Sequence, residues 1–347
     1  TPMHQDTNIP MHQYTTNTPT HHQHTNTPTH QRTNAPTHQP QQPHPSHLDG
    51  LGERRLGGEA VIVEQVWGRA IDPEQLEAAL RQHPDAKIVA FVHAETSTGV
   101  QSDAQTLCAL AKAHDCLTIV DCVTSLAGTE VALDAWGADA AYSGTQKCLS
   151  CAPGLSPISL SQRAVDTVKS RKAPVSSWFL DLNLVMGYWG EGQTRSYHHT
   201  APVNALYGLH EALVVLHEEG LASSWSRHAR NHNALKAGLE AMGLTFVVPE
   251  AERLPQLNLV SVPEGVDEAS VRKQLLQQYN LEIGAGLGSL AGRVWRIGLM
   301  GFASNPKNVL FCVNALEAVL SQYNAPIHRG VATGAGKGGC HAQRRTD

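Results

Sequence analysis

The sequence predicts an α/β fold with a mostly parallel sheet, followed by a smaller α+β domain. In the first part of the chain, short apolar runs alternate with amphipathic helical segments, an order typical of right-handed βαβ units. In the last part, two helices are interspersed among three strands, a different order that indicates a second domain. These later elements are predicted over 257–262, 267–279, 281–285, 294–298 and 306–321.

Helices are predicted where apolar residues recur at helical spacing between capping residues. The first begins at Pro73, after the N-cap candidate Asp72, and extends to Leu80. Glycine follows each of the two longest, as Gly220 and Gly243, which favours a helix end. The remaining helices of the first part are predicted over 103–114, 204–219 and 225–242.

Strands are predicted at four short apolar runs, over 88–92, 117–120, 138–142 and 156–160. Pro157 restricts the last run to a sheet edge or a strand start, because proline cannot donate a ladder hydrogen bond.

Two of these strands deliver an acid and a lysine. Asp121 directly follows Ile119-Val120, and Lys147 follows Ala140-Ala141-Tyr142 after a short Gly-containing turn. Such a pair suits pyridoxal phosphate, because the lysine forms a Schiff base and the acid pairs with the pyridinium nitrogen. An ordinary α/β sheet with one strand-end acid and one surface lysine is the alternative interpretation.

Composition argues against several function classes. The formal net charge of −5 includes no basic block after residue 47, which argues against a nucleic-acid partner. No apolar run approaches the length of a membrane span, and no secretory signal is visible. The seven cysteines lack the spacing of a disulfide framework, which favours a reducing, intracellular compartment.

Residues 1–47 form a separate segment of low complexity. They contain no Leu, Val, Phe or Trp, they hold nine of the twenty histidines, and the pattern Thr-Asn-x-Pro-x-His occurs four times. A repeat without an apolar face cannot bury a core, so this segment is predicted to be disordered. Its histidines show no rigid ligand spacing, and no metal site is predicted.

Five motifs occur in a recognisable order. They are His93-Ala94-Glu95-Thr96-Ser97-Thr98-Gly99, Val120-Asp121-Cys122-Val123-Thr124-Ser125, Ser143-Gly144-Thr145-Gln146-Lys147, Tyr197-His198-His199-Thr200 and Trp295-Arg296-Ile297-Gly298-Leu299-Met300-Gly301. In this order and spacing, the motifs resemble the class V, fold type I, pyridoxal-phosphate aminotransferases, and most closely their alanine–glyoxylate/serine–pyruvate branch. The resemblance extends from about Gly52 to about Tyr323.

The resemblance implies a role for each residue of the cofactor site. Lys147 would carry the cofactor and shuttle a proton, and Asp121 would keep the pyridine nitrogen protonated so that the ring acts as an electron sink. Val123 would pack against the ring face, Ser97 would bond near the ring hydroxyl, and Gln146 would reach the phosphate. Each of these last three could instead satisfy an ordinary turn.

Three further residues complete the implied site. Tyr197 and Thr200 match positions that bind the phosphate of the neighbouring subunit's cofactor, which implies a homodimer with a composite active site. An ordinary loop before a helix is the alternative interpretation. Arg296 is the only charge in its motif and would bind a substrate carboxylate with two parallel hydrogen bonds. A structural salt bridge is the alternative for Arg296.

The chain also departs from the family. The family's Gly-rich phosphate turn and the aromatic residue that stacks on the pyridine ring precede the matched segment, where this chain has the repeat. We therefore expect the first third of the family's domain to be missing. The predicted organisation is a disordered segment over 1–47, a partial cofactor-binding large domain over 48–240, a small C-terminal domain over 241–324 and a flexible tail over 325–347.

The function implied by the resemblance is transfer of an amino group from alanine or serine to glyoxylate or pyruvate. One alternative is a cysteine desulfurase-like lyase, although that branch usually places histidine before the lysine, where this chain has Gln146. The other is an inactive truncated product, because losing the phosphate turn weakens cofactor binding. Small amino and oxo acids would be the partners, and peroxisome, mitochondrion or cytoplasm would all be compatible with the resemblance.

Overall fold

The computed structural model describes residues 57–188 and 196–342. The segment over 1–47, which the sequence predicts to be disordered, lies outside these residues. A four-stranded sheet, a three-stranded sheet and a two-stranded hairpin make up the described part, together with their associated helices. Within it, no helix is both long enough and apolar enough to span a bilayer.

The larger sheet confirms the predicted α/β arrangement. Its strands are β1 (Ile88–Val92), β4 (Leu117–Asp121), β5 (Ala140–Tyr142) and β6 (Ile158–Leu160), paired in that order. The first three are parallel, and β6 is antiparallel to β5 at the edge, directly after Pro157. Between β1 and β4, the sequence did not predict a hairpin of two short strands, β2 (Ala94–Glu95) and β3 (Val100–Gln101).

Two capped helices pack on this sheet. α1 (Pro73–Gln82) begins after Asp72, whose Oδ1 accepts a hydrogen bond from the Glu74 amide (2.9 Å). α2 (Ala104–Ala113) begins after Asp103, which accepts one from the Thr106 amide (3.1 Å). The helices and the sheet share one buried apolar cluster, which includes Leu76, Leu80, Val89, Phe91, Leu107 and Val120.

Three short helices follow that the sequence analysis did not predict, because they are too short to show helical periodicity. They are α3 (Leu133–Trp136), α4 (Gln162–Lys169) and α5 (Leu182–Met186). Two long helices come next, α6 (Val203–Glu219) and α7 (Leu221–Ala241). α7 begins four residues earlier than predicted, directly after Gly220, whose φ of +83° turns the chain between the two.

The smaller sheet contains β7 (Leu257–Ser261), β8 (Gly284–Ala285) and β9 (Val294–Gly298), with β9 in the centre and all pairs antiparallel. β8 is shorter than the predicted strand over 281–285. α8 (Glu268–Tyr279) and α9 (Pro306–Gln322) contribute to its core around the fully buried Trp295. The predicted domain boundary at residue 240 stays a prediction.

Part of the C-terminal tail is helical. Residues Ala332–Ala342 form a helix, α10, that packs on α7, and the flexibility predicted over 325–347 stays a prediction. The Gly-rich composition predicts flexibility because glycine normally disfavours a helix. Here it allows close packing, because a Cβ at Gly339 would lie 2.9 Å from the Ala234 Cα.

Candidate functional site

Asp121 lies at the carboxyl end of β4, the end of a parallel sheet at which ligands bind. Its Oδ1 accepts a hydrogen bond from the Val123 amide (2.7 Å), and its Oδ2 accepts one from the Tyr142 hydroxyl (2.8 Å). Burial raises the pKa of the Asp121 carboxyl, and these two hydrogen bonds act in the opposite direction. The carboxylate therefore has a fixed orientation and would be stabilised by a cation beside it.

Lys147 lies in a turn after β5 that is held by its own hydrogen bonds. The Thr145 hydroxyl donates to the Ala152 carbonyl oxygen (2.6 Å), and the Ser150 amide donates to the Lys147 carbonyl oxygen (3.0 Å). The Lys147 side chain is half-buried. Its charge also acts on Asp121, where it lowers the pKa that burial raises. The predicted lysine and acid are thus neighbours at one end of the larger sheet.

Ser97 lies in the turn of the β2–β3 hairpin. Glu95 Oε1 accepts two hydrogen bonds from Ser97, one from the amide (2.8 Å) and one from the hydroxyl (2.7 Å). Ser97 is 2% exposed, so its hydroxyl is held in place, while its oxygen can still accept a hydrogen bond. The His93 amide donates to the Asp121 carbonyl oxygen (3.0 Å), which places the start of this hairpin beside the acid.

Arg296 joins the smaller sheet to this hairpin. It lies in the central strand β9, and its Nη1 donates to the Thr96 carbonyl oxygen (3.1 Å) while its Nε donates to the Ala285 carbonyl oxygen (2.7 Å). Burial lowers the pKa of the guanidinium, and the Glu95 carboxylate acts in the opposite direction. Arg296 forms no ion pair with any described residue. No described residue accepts a hydrogen bond from its Nη2. This arrangement leaves donors for a carboxylate and does not support the salt-bridge interpretation.

Gln146, Tyr197 and Thr200 face the surface. The Gln146 side chain is exposed beside the lysine turn. Tyr197 is 74% exposed, and its hydroxyl oxygen lies 2.9 Å from the Thr200 Oγ1. The buried His198 anchors this loop, because its Nε2 donates to the Trp178 carbonyl oxygen (3.0 Å). Tyr197 and Thr200 therefore form a polar pair that no described contact joins to Asp121 or Lys147.

The residues around Asp121 fit the ring of the predicted cofactor. A protonated pyridine nitrogen would supply the positive charge that this half-buried carboxylate favours. Val123 flanks the carboxylate, the Ser97 oxygen can accept a bond, and the Lys147 amine lies at the same end of the sheet. The predicted loss of the family's phosphate turn concerns residues before the matched segment, and these lie outside the described part of the chain.

The structure thus brings five predicted residues into one region, namely Ser97, Asp121, Val123, Lys147 and Arg296. Their roles, and those of Gln146, Tyr197 and Thr200, stay predictions. Two contacts were missed: the Tyr142 hydroxyl on Asp121 and the Glu95 carboxylate on Ser97. Strand register could have indicated Tyr142, because it pairs with Asp121 across β4 and β5. Within the described residues, no three His, Cys, Asp or Glu side chains cluster as candidate metal ligands.

Comparison with known proteins extends these findings. The Aminotransferase class-V family model matches residues 53–309. An (S)-ureidoglycine–glyoxylate transaminase of Bacillus subtilis is 38% identical over 80% of this chain and 70% of its own length. An alanine–glyoxylate aminotransferase of Drosophila melanogaster is 39% identical over 79% of this chain and 71% of its own length. The chain spans about seven tenths of these relatives.

Solved structures agree with the fold. A ureidoglycine–glyoxylate aminotransferase from Bacillus subtilis has a TM-score of 0.79 at 39% identity, covering 82% of this chain and 73% of that one. An alanine–glyoxylate aminotransferase from Nostoc sp. has a TM-score of 0.74 at 45% identity, covering 77% and 70%. These likenesses confirm the predicted fold type I arrangement. A cysteine desulfurase from Thermococcus onnurineus, at 17% identity and a TM-score of 0.62, is more distant and shows the fold alone.

Proposed function

Because the chain belongs to the class V aminotransferase family, whose cofactor is pyridoxal 5′-phosphate, we propose that it transfers an amino group from alanine or serine to glyoxylate or pyruvate. One observation carries this proposal. Arg296 crosses from the smaller sheet to bond the Thr96 carbonyl oxygen, next to Ser97 and on the side of the sheet where Asp121 and Lys147 lie. A guanidinium, an amine and an acid therefore lie in one region of the fold, as this proposal requires.

Asp121 and Ser97 would orient the cofactor ring. When bound, the cofactor supplies an electron sink that weakens the bond between the amino acid's Cα and its hydrogen. Asp121 would hold a proton on the pyridine nitrogen, and its hydrogen bonds from Val123 and Tyr142 keep the carboxylate in the orientation required. The Ser97 hydroxyl donates its proton to Glu95, so its oxygen would accept a hydrogen bond from the ring hydroxyl.

Lys147 and Arg296 would act on the substrate. The Lys147 Nζ would accept the proton from the substrate Cα and would donate it at C4′ of the cofactor. Arg296 would hold the substrate carboxylate, so that the Cα–H bond faces the lysine rather than solvent. Fixing Nε and Nη1 on carbonyl oxygens keeps the guanidinium plane in place before any substrate arrives.

Ureidoglycine is a second candidate donor. The relative named for it is 38% identical to this chain and the alanine–glyoxylate relative is 39% identical, so identity does not separate the two donors. Glyoxylate occurs in both names and is the acceptor we favour. Values of kcat/KM for alanine, serine and ureidoglycine, each measured with glyoxylate and with pyruvate, would decide between them. A preference for ureidoglycine over both amino acids would contradict the first assignment.

Covalent labelling tests the central residue. Reduction of the cofactor-loaded chain with borohydride should fix the cofactor to Lys147, as located by peptide mass spectrometry. Lys147→Ala should abolish the label. Lys87 and Lys169 are exposed lysines on the same part of the chain and serve as internal controls. Label on either of them in place of Lys147 would overturn the assignment.

A homodimer with a composite site is part of this proposal. The Tyr197–Thr200 pair faces solvent, and α6 follows it directly along the chain. All residues of α6 are described, and none of them is buried. Exposed apolar side chains occur in this part of the chain, at Trp178, Phe179, Leu180, Tyr197, Val203, Leu206, Tyr207, Leu213 and Val215. Exposed apolar surface of this kind favours a subunit contact. A two-fold pair would bring the Tyr197–Thr200 pair to the partner's cofactor phosphate.

Subunit mixing tests this arrangement. If Tyr197 acts across the interface, chains carrying Lys147→Ala and chains carrying Tyr197→Ala should each be inactive alone but regain activity when mixed. A mixed dimer then has one site with both native residues. Absence of recovery, in a mixture shown by mass spectrometry to contain mixed dimers, would mean that Tyr197 does not act in the partner's site.

A further inference from the structure

The turn that carries Lys147 is tied to the segment that follows β9. Ser150 closes this turn, because its amide donates to the Lys147 carbonyl oxygen (3.0 Å). The Ser150 hydroxyl oxygen in turn accepts a hydrogen bond from the Phe302 amide (2.7 Å). Phe302 lies six residues after Arg296 in the sequence. The lysine turn therefore rests on backbone that continues directly from the arginine strand.

Gly301 makes this close approach possible. Its φ is +55°, in the left-handed region, and a Cβ at this position would lie 1.9 Å from the Ser150 Oγ and 2.9 Å from the Cys148 carbonyl oxygen. A side chain larger than hydrogen would push the two segments apart. Gly301 is therefore the contact point between the lysine turn and the segment after β9.

Helix α7 holds Gly301 from the other side. The Gly301 amide donates to His228 Nε2 (2.9 Å), and the Gly301 carbonyl oxygen accepts from Arg227 Nη1 (2.7 Å). Arg227 Nη1 also donates to the Ser304 carbonyl oxygen (2.9 Å). Both hydrogen-bonding groups of Gly301 are thus fixed by two successive side chains of one helix. We call Ser150, Gly301, Arg227 and His228 the Gly301 clamp.

The protonation of His228 is defined by its partners. Its Nδ1 lies 2.7 Å from the Ser224 carbonyl oxygen, which can only accept, so Nδ1 carries the proton and Nε2 is free to accept from Gly301. The side chain is fully buried. Arg227 is oriented in a similar way, because its Nη2 donates to Glu219 Oε2 (2.9 Å). The hydrogen-bonding groups of His228 and Arg227 are therefore oriented toward Gly301 by neighbouring protein atoms.

We propose that His228 is a positioning residue for Lys147, acting through Gly301 and Ser150. This inference rests on the proposed role of Lys147. Loss of the acceptor at Nε2 would leave the buried Gly301 amide without a partner, and the segment would shift to find one. Because Ser150 is bonded to the next amide, the lysine turn would loosen with it. A small displacement of the amine from the substrate Cα is enough to slow proton transfer.

Three variants of α7 separate positioning from general stability. His228→Phe removes the acceptor and keeps a planar ring. His228→Gln restores an acceptor oxygen near the Nε2 position. His232→Phe is the matched control, since His232 is also buried on α7, one turn later, but its Nδ1 pairs with Asn258 Oδ1 (2.6 Å) instead of the clamp.

Amide hydrogen exchange of the full chain, followed by mass spectrometry on peptides that cover 145–152 and 299–304, measures the clamp without cofactor. His228→Phe should raise exchange in both peptides about tenfold, the effect of losing one buried hydrogen bond. His228→Gln should stay within about threefold of the native chain. His232→Phe should leave both peptides unchanged relative to the rest of the chain. Equal increases in His228→Phe and His232→Phe, or no increase over 145–152, would overturn the proposal.

Ser150→Ala gives an independent test if His228→Phe does not fold. It removes the acceptor of the Phe302 amide and leaves α7 intact, so exchange should rise over 145–152 but not over 221–241. Unchanged exchange over 145–152 would overturn the proposed path through Ser150. The two experiments can fail separately. A cofactor label on another lysine would overturn the proposed role of Lys147, whereas the exchange rates would still show whether His228 holds the turn through Gly301 and Ser150.

Discussion

Replacing Arg296 with lysine keeps the positive charge but removes the planar set of donors. In the native chain, the Ala285 and Thr96 carbonyl oxygens fix the guanidinium through Nε and Nη1. A Cβ at Gly284 would lie 3.3 Å from the Arg296 Cβ and 3.4 Å from its Nη2, so Gly284 lies close against this side chain. A lysine ammonium cannot keep both carbonyl contacts and also offer two parallel bonds to a substrate carboxylate.

The size of the effect follows from the hydrogen bonds that are lost. One hydrogen bond to a charged group contributes about 1.5–3 kcal/mol. Arg296→Lys should therefore lower kcat/KM for the amino donor by about one to two orders of magnitude. The carboxylate is held in the ground state and the transition state alike, so we expect most of the loss to appear in KM.

Steady-state kinetics with alanine and glyoxylate measure this loss, and the visible absorbance of the bound cofactor should persist in the variant. Arg293→Lys is the matched control, because Arg293 is exposed in the turn directly before the same strand. If Arg296→Lys leaves kcat/KM unchanged for both substrates, the guanidinium is structural and the carboxylate assignment is wrong. An equal loss in the Arg293 control would also contradict the reasoning.

Two further predictions concern stability. Burial lowers the pKa of His93 and of His228 to about 4. As the pH falls below about 6.5, these histidines therefore bind a proton in the unfolded chain before they do so in the folded chain. The free energy of unfolding should fall by on the order of 3 kcal/mol per histidine between about pH 6.5 and about pH 4. Urea titrations across this range should show a shallower fall in His93→Gln, and an unchanged slope would refute the linkage. Gly301→Ala should destabilise the chain by more than about 2 kcal/mol, because its Cβ would overlap the Ser150 Oγ at a positive φ. Gly298→Ala, whose Cβ would meet no atom within 4 Å, should leave the melting temperature nearly unchanged, and equal losses would contradict this explanation.

The acid and the lysine could be placed from the sequence because each follows an apolar run, and buried strands require such runs. The same local signals placed α1 after the cap Asp72 and β6 at the sheet edge after Pro157. Parallel strands present their carboxyl ends on one side of a sheet, so Asp121 and Lys147 were expected to be neighbours. This part of the site depends on information within a few residues of each group.

Other parts of the site could not be predicted in this way. The strands β2 and β3 are two residues each, too short for a period-two pattern, although they position Ser97. The bond from Arg296 to the Thr96 carbonyl oxygen joins residues 200 positions apart. His228 meets Gly301 across 73 positions, and a buried histidine on a long helix carries no local signal of that contact. Such contacts depend on how the two sheets pack.

The segment from Arg296 to Phe302 explains why these distant contacts converge. Its first residue bonds the hairpin that carries Ser97, and its last amide bonds the turn that carries Lys147. One short stretch of backbone therefore sets the spacing between the proposed carboxylate site and the proposed catalytic amine. By holding Gly301, His228 would affect the positions of both Arg296 and the turn of Lys147 without contacting either residue. The geometry of the site is thus determined by β9 and its continuation as much as by the larger sheet that supplies the acid and the lysine.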